Sequence, residues 1–169
     1  IITIAIVLTA AEYSSDAKRK KDDKAKYIFL FIGDGMGMGQ VNLAESYLSY
    51  KAGKLGGEQL SFTQFPNLAL CNTYSANRNI TCSAAAGTAI ACGEKTNNEH
   101  IGVNPEGKPL ESIAYVLHDK GYNVGIMTTV PVNHATPAAF YGHNSSRYGY
   151  YDISLEIVSS GFEFFGGSG

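Results

Sequence analysis

Tryptophan is absent from this chain, proline occurs five times and cysteine three times in 169 residues. Cys71, Cys82 and Cys92 form neither a CxxC pair nor a paired zinc spacing, and their odd number leaves at least one thiol free within the chain. Buried free thiols are the expectation. Charge is sparse as well. Charged residues make up 17% and the net charge is −2, which gives no electrostatic reason to expect a nucleic-acid partner. Two phosphate-binding signatures are also missing. Gly33-x-Gly35 is followed by Met38, and Gly35-x-Gly37 by Gln40, where a dinucleotide fingerprint requires glycine. Gly93-Glu94-Lys95-Thr96 lacks the directly joined Gly-Lys of a P-loop.

The apolar run Ile1 to Ala11 is too short to cross a bilayer as a helix. Its small residues and polar sequel resemble the back half of a secretory signal peptide without its Met and basic start. A strand or helix is the alternative. Lys18 to Lys24 then reads as a solvated charged linker, since no aromatics interleave with it. Residues 1–26 are therefore expected to be a leader remnant and linker, and residues 27–169 the folded part. Forty-four per cent apolar residues suffice for one domain with a core.

Nineteen glycines punctuate that part. Tyr27 to Ile32 is a continuous apolar run, predicting a strand buried on both faces. A helix is predicted from Gln40 to Tyr50, with an apolar stripe of Val41, Leu43, Ala44, Tyr47 and Leu48. Lys51 to Glu58 reads as a loop and Leu68 to Tyr74 as a second strand. A small-residue helix follows, capped by Thr81 or Ser83 and closed by Gly93. Leu110 to Lys120 predicts an amphipathic helix ended by Gly121, and Asn123 to Thr129 a buried strand broken by Pro131. Thr136-Pro137 can start a short helix. Tyr151 to Ser159 predicts a last helix ended by Gly161, and Phe162 to Phe165 the start of a strand. This alternation specifies an α/β class with a mostly parallel sheet, whose ligands gather at the carboxyl ends of strands.

Asp34, among four glycines past the first strand, suits a hard or borderline cation, or serves only as a turn residue. Ser83, at a helix N-terminus, is a cap or a nucleophile aimed at an anion. His134 and Thr136, if extended, point the same way, and together an imidazole and a hydroxyl can organise a metal and its waters. A lone histidine is otherwise a core or surface residue, and His100, His118 and His143 have no ligand spacing. Arg147 can fork two hydrogen bonds onto a phosphate, or be a surface charge.

Taken in order, Gly33-Asp34-Gly35-Met36-Gly37, Thr81-Cys82-Ser83-Ala84-Ala85-Ala86-Gly87-Thr88-Ala89, His134-Ala135-Thr136-Pro137-Ala138 and Ser146-Arg147 resemble the alkaline phosphatase family. The similarity runs from about Tyr27 to Asp152. It implies a three-layer α/β/α sandwich, with only the N-terminal part of the catalytic domain in these residues. It implies hydrolysis of phosphate monoesters through a phosphoserine, with two Zn2+ and one Mg2+. By the resemblance, Asp34 bridges a zinc and the magnesium, and Ser83 attacks phosphorus. Thr136 ligates the magnesium, His134 stands beside it without bonding to it, and Arg147 clamps two phosphate oxygens. A secreted or periplasmic location follows, and a homodimer is compatible with it.

Two departures stand out. The family commonly has aspartate before the nucleophile, which helps orient the arginine; here it is Cys82. A Cys82-Ser83 pair also evokes a sulfatase, but neither residue has Pro two positions on and Arg four on. The other zinc ligands of the family come from later in a longer chain, so residues 1–169 alone are expected to be inactive. The alternatives are a phosphodiesterase or other member of the metal-dependent phosphatase/sulfatase superfamily, and a non-catalytic phosphate-binding relic.

Overall fold

The computed structural model describes residues 4–9 and 25–168. The chain divides into two compact units, residues 2–70 and residues 71–169. The charged linker expected at Lys18 to Lys24 lies outside the described residues.

In the first unit β1 (Ile4–Thr9) pairs antiparallel with β2 (Ile28–Gly33), from Ile4 opposite Gly33 to Thr9 opposite Ile28. Part of the apolar stretch read as a leader remnant is thus strand. A short β-branched run satisfies either pattern, since hydrophobicity alone does not separate them. β2 occupies the predicted place but is not buried on both faces, because Phe29 and Phe31 are more than half exposed. A glycine turn ends it: the Met36 N–H donates to the Gly33 carbonyl at 3.1 Å, with Gly35 at φ 70°. Helix α1 (Met38–Lys51) follows, its start tied by the Gln40 side-chain oxygen accepting from the Gly37 N–H at 2.9 Å. Of the expected stripe only Val41 is buried; Leu43 and Tyr47 are exposed.

Leu68 to Tyr74 is not a strand. Leu68 and Leu70 are 89% and 92% exposed. The segment's carbonyls have another partner: Lys95 Nζ donates to the Asn72 carbonyl at 3.2 Å and to that of Tyr74, and lies 3.9 Å from the Tyr74 ring centroid. An ammonium thus takes acceptors that a sheet ladder would use.

The second unit is built from α2 (Ser83–Cys92), α3 (Ile113–Asp119), β3 (Gly125–Pro131), α4 (Ala135–Ala138), α5 (Tyr150–Ser159) and β4 (Phe164–Ser168). Gly93, Gly121 and Gly161 end the three longer helices with φ of 75°, 84° and 72°, as predicted. Ser112 caps α3, accepting from the Tyr115 N–H and donating to the buried Phe140 carbonyl at 2.6 Å. β3 and β4 pair in parallel, Gly125 opposite Phe164 and Ile126 opposite Phe165, which is the α/β arrangement expected. β3 alternates between exposed and partly covered residues, so only one of its faces packs.

Among the described residues Tyr141 is the largest fully buried side chain. Its ring meets Phe165 edge-on at 5.2 Å and its hydroxyl donates to the Val132 carbonyl at 2.8 Å. Burial, reinforced by the Glu156 charge, pushes the Tyr141 phenol well up. The histidines without ligand spacing all have structural partners. His143 bonds the Glu156 carboxylate at 2.8 Å and the Leu110 carbonyl at 3.2 Å, His118 faces Glu163, and His100 meets the Asn104 carbonyl.

Candidate active site

The stretch preceding α2 is polar and short-sided, and α2 itself is mostly alanine. Cys82, extended at φ −102° and ψ 169°, is the N-cap, and Ser83 is the first helical residue. The expected cap, Thr81 or Ser83, is therefore displaced by one position. Cys82 makes no side-chain cap bond. Its sulfur instead accepts from the Glu99 N–H at 3.1 Å, and its own N–H donates to Asn98 Oδ1 at 3.1 Å. At the other end of the helix, burial and then the Glu94 charge raise the Cys92 thiol to about 11, which makes it unreactive.

α2 packs against α4 through small residues. A Cβ placed on Gly87 would lie 3.1 Å from the Ala139 Cβ and 3.4 Å from the Thr136 Cα. Gly87 is one helical turn beyond Ser83, so the two share a face of α2. Ser83 and the backbone of Thr136 are thereby brought to the same side of the unit. Thr88, next to Gly87, is fully buried: its hydroxyl accepts from the Gly102 N–H at 2.9 Å and donates to the His100 carbonyl at 3.3 Å. That ties α2 to the 100–102 segment, which bridges Asn144 through two backbone bonds of 2.8 Å.

His134 and Thr136 are not on one extended stretch. His134 is the N-cap of α4, with φ −70° and ψ 158°, while Thr136 is already helical, so alternation along a strand does not relate them. Both follow the carboxyl end of β3, where an α/β protein gathers ligands. Ser83 does not follow a strand, since none forms at 68–74. Arg147 lies in a turn closed by the Gly149 N–H on the Ser146 carbonyl at 3.1 Å, after Asn144 Oδ1 has accepted from the Ser146 N–H at 2.8 Å. Among the described residues of its unit no carboxylate pairs with Arg147. Asp34 belongs to the other unit, exposed in the turn after β2.

The sequence reading missed Asn98 and Asn77, which it left in an irregular stretch or a polar loop. Asn98 Nδ2 donates to the Ile80 carbonyl at 3.0 Å, and the Asn98 N–H donates to Asn77 Oδ1 at 2.9 Å. The only local signal was the presence of asparagines in loops, where their side chains readily bond backbone groups.

Fold and site together define the class, an α/β protein with a serine in the first turn of a small-residue helix. Comparison with known proteins is then specific. The chain belongs to the alkaline phosphatase family, whose model matches residues 25–162. It is 34% identical over 163 residues to the tissue-nonspecific alkaline phosphatase of Homo sapiens, covering 89% of this chain and 31% of that protein. Thermus thermophilus alkaline phosphatase superposes with a TM-score of 0.67 at 32% identity, over 77% of this chain and 27% of that one. A variant of TAB5 alkaline phosphatase with Mg bound in the M3 site gives 0.65 at 32% identity, over 78% and 36%. The chain thus spans about a third of the length of these relatives.

Proposed function

We propose that residues 27–169 are the N-terminal part of a longer, metal-dependent phosphomonoesterase that works through a phosphoserine on Ser83. The observation that carries this reading is the placement of Ser83 in the first turn of α2 with Gly87, one turn on, packed against the Thr136 backbone. Family membership over residues 25–162 supports the same assignment.

In this reading Ser83 Oγ forms a bond to phosphorus as the bond from phosphorus to the leaving alcohol breaks, and water later releases phosphate from the serine. A serine hydroxyl is a weak nucleophile at neutral pH and needs activation. Arg147 forks onto two non-bridging oxygens, and the N-terminal backbone N–H groups of α2 face the same charge. By the family resemblance Asp34 and Thr136 would each contribute an oxygen donor, the chemistry magnesium prefers, and His134 would stand beside the ion without ligating it. Among the described residues no three His, Cys, Asp or Glu side chains gather as a metal site. The oxygen donors named suit magnesium by their chemistry alone, and the two zincs would require further ligands that the described residues do not gather. When bound, the cations supply Lewis-acid stabilisation of the attacking and leaving oxygens.

The substrates are small phosphate monoesters. The setting is secreted or periplasmic, with residues 1–26 as leader remnant and linker, and a homodimer is compatible with the family. Among the described residues no helix is long and apolar enough to cross a membrane.

Ser83→Ala in the full-length protein is expected to abolish covalent phosphoryl labelling; labelling at wild-type level would refute the assignment. The 1–169 polypeptide alone is expected to release no p-nitrophenol from its phosphate ester in the presence of Zn2+ and Mg2+, and robust turnover would overturn the partial-domain reading. Two observations favour a second reading, a non-catalytic relic: Cys82 replaces the family's aspartate, and among the described residues of the unit no carboxylate pairs with Arg147. Absence of labelling in the unmutated full-length protein would select it.

A further inference from the structure

We propose that Asn98 is a positioning residue for Ser83, holding the backbone that delivers the serine into the first turn of α2. The inference rests on the reading of Ser83 as nucleophile and adds a residue that touches neither substrate nor metal.

A serine, threonine or aspartate at this position commonly folds its side chain over the first turn and occupies one of the helix's N-terminal N–H groups. Cys82 makes no such bond. Its sulfur is turned to the Glu99 N–H at 3.1 Å, so the helix end is not occupied by its own cap. That suits a helix that must receive an anion, but it leaves the entry of the chain to be held by something else.

Asn98 does the holding. Its Oδ1 accepts from the Cys82 N–H at 3.1 Å, and its Nδ2 donates to the Ile80 carbonyl at 3.0 Å. One carboxamide thus fixes two peptide groups of the three residues that precede Ser83. Only one orientation of the amide satisfies an N–H and a carbonyl at once, so the partners determine which end is oxygen. The two bonds hold the peptide groups on either side of Thr81, and from that fixed approach Cys82, extended at φ −102° and ψ 169°, leads the chain into Ser83 and the helix.

The brace is itself anchored. The Asn98 N–H donates to Asn77 Oδ1 at 2.9 Å, and the same oxygen accepts from the buried Ser75 hydroxyl at 3.2 Å. The Ala76 N–H meets the Thr96 carbonyl at 2.8 Å, joining the two loops a second time. Glu99 is the one non-glycine residue with positive φ, at 76°, among the described residues. That conformation is unfavourable for a side-chain-bearing residue, and it falls on the residue whose N–H donates to the Cys82 sulfur. Local strain beside a site is what a fixed geometry requires when the sequence does not favour it.

The test is single-turnover phosphorylation of the full-length protein with p-nitrophenyl phosphate, alongside the inhibition constant of inorganic phosphate. Misplacing a nucleophile by an ångström costs on the order of a hundredfold in rate, so Asn98→Ala should slow phosphorylation about 30–100-fold. Phosphate is held mainly by Arg147 and the cations, and the α2 N–H groups that face it belong to the helix rather than to the braced entry, so its inhibition constant should move by less than about twofold. Asn98→Asp, close in shape, keeps the acceptor for the Cys82 N–H but turns a second acceptor toward the Ile80 carbonyl; it should recover only in part, remaining about 3–10-fold below wild type. It also carries the test if the alanine variant does not fold. Phosphorylation at wild-type rate in either folded variant overturns the inference, as does a loss of phosphate affinity equal to the loss of rate. Ser83→Ala run in parallel separates the two levels. If it still labels, the nucleophile reading fails and the inference with it; if it is silent while Asn98 variants label normally, only the positioning role fails.

Discussion

Gly87→Ala is the sharpest test of how this fold builds its site. Alanine in a helix interior is worth about 1 kcal/mol over glycine, so propensity alone forecasts a more stable protein. Packing forecasts the reverse. The new Cβ would lie 3.1 Å from the Ala139 Cβ and 3.4 Å from the Thr136 Cα. Carbon atoms prefer about 3.5–4.0 Å, so α2 and α4 would have to part by roughly 0.4–0.9 Å. Neither neighbour can yield by rotation, since one is the methyl of a 1% exposed alanine and the other is backbone. Overpacking of this kind costs about 1–3 kcal/mol, which outweighs the propensity gain and leaves a net loss between about zero and 2 kcal/mol. The displacement moves Thr136 away from the face that carries Ser83, and a shift of that size costs up to about a hundredfold in turnover. Urea denaturation and p-nitrophenyl phosphate hydrolysis of the full-length protein read the two effects. Adding Ala139→Gly removes the clashing methyl, so a double-mutant cycle should show a coupling of about 1 kcal/mol or more. A Gly87→Ala protein that is about 1 kcal/mol more stable, fully active and additive with Ala139→Gly would refute the reasoning.

Thr88→Val is isosteric but removes the acceptor of the buried Gly102 N–H and the donor to the His100 carbonyl. Chemical denaturation should show a loss of about 1–3 kcal/mol, largely restored in Thr88→Ser; a valine variant as stable as wild type would count against that bond. The Glu163 carboxyl is held below the ordinary glutamate value, first by the Val124 N–H and also by His118. A depressed folded value means stability that is present above the unfolded value, near 4.3, and is lost as pH falls through the folded one. Glu163→Gln should therefore lower thermal stability slightly at neutral pH and converge with wild type in acid; a difference that grows toward low pH would contradict the assignment.

Helix ends were legible because their causes are local. The left-handed glycines 93, 121 and 161 close α2, α3 and α5 as read, whereas the start of α3, read at Leu110, falls at Ile113 behind its Ser112 cap. What escaped the sequence depended on distant partners. Leu68 to Tyr74 has strand composition, yet Lys95 takes its carbonyls. Cys82 rather than serine or threonine became the N-cap because Asn98 and Glu99 fix its backbone from outside the helix. His134 and Thr136 would share a direction only on an extended stretch, whereas β3 ends at Pro131 and the short helix read at Thr136-Pro137 forms as α4 from Ala135. The order of the site motifs was readable along the chain. The packing of Gly87 on Thr136 was only hinted at, by the small size of the α2 side chains.

The alanine and glycine joint between α2 and α4 also has a thermal consequence. Leucine or methionine side chains at such a joint absorb small displacements by changing rotamer; alanine and glycine have none to change. The spacing there is set by backbone and methyl contacts alone, and close-packed atoms compress little. Warming therefore does not gradually blur the distance between the serine helix and α4. It should hold nearly constant until the fold of the unit itself gives way, so that loss of this spacing and loss of the fold coincide.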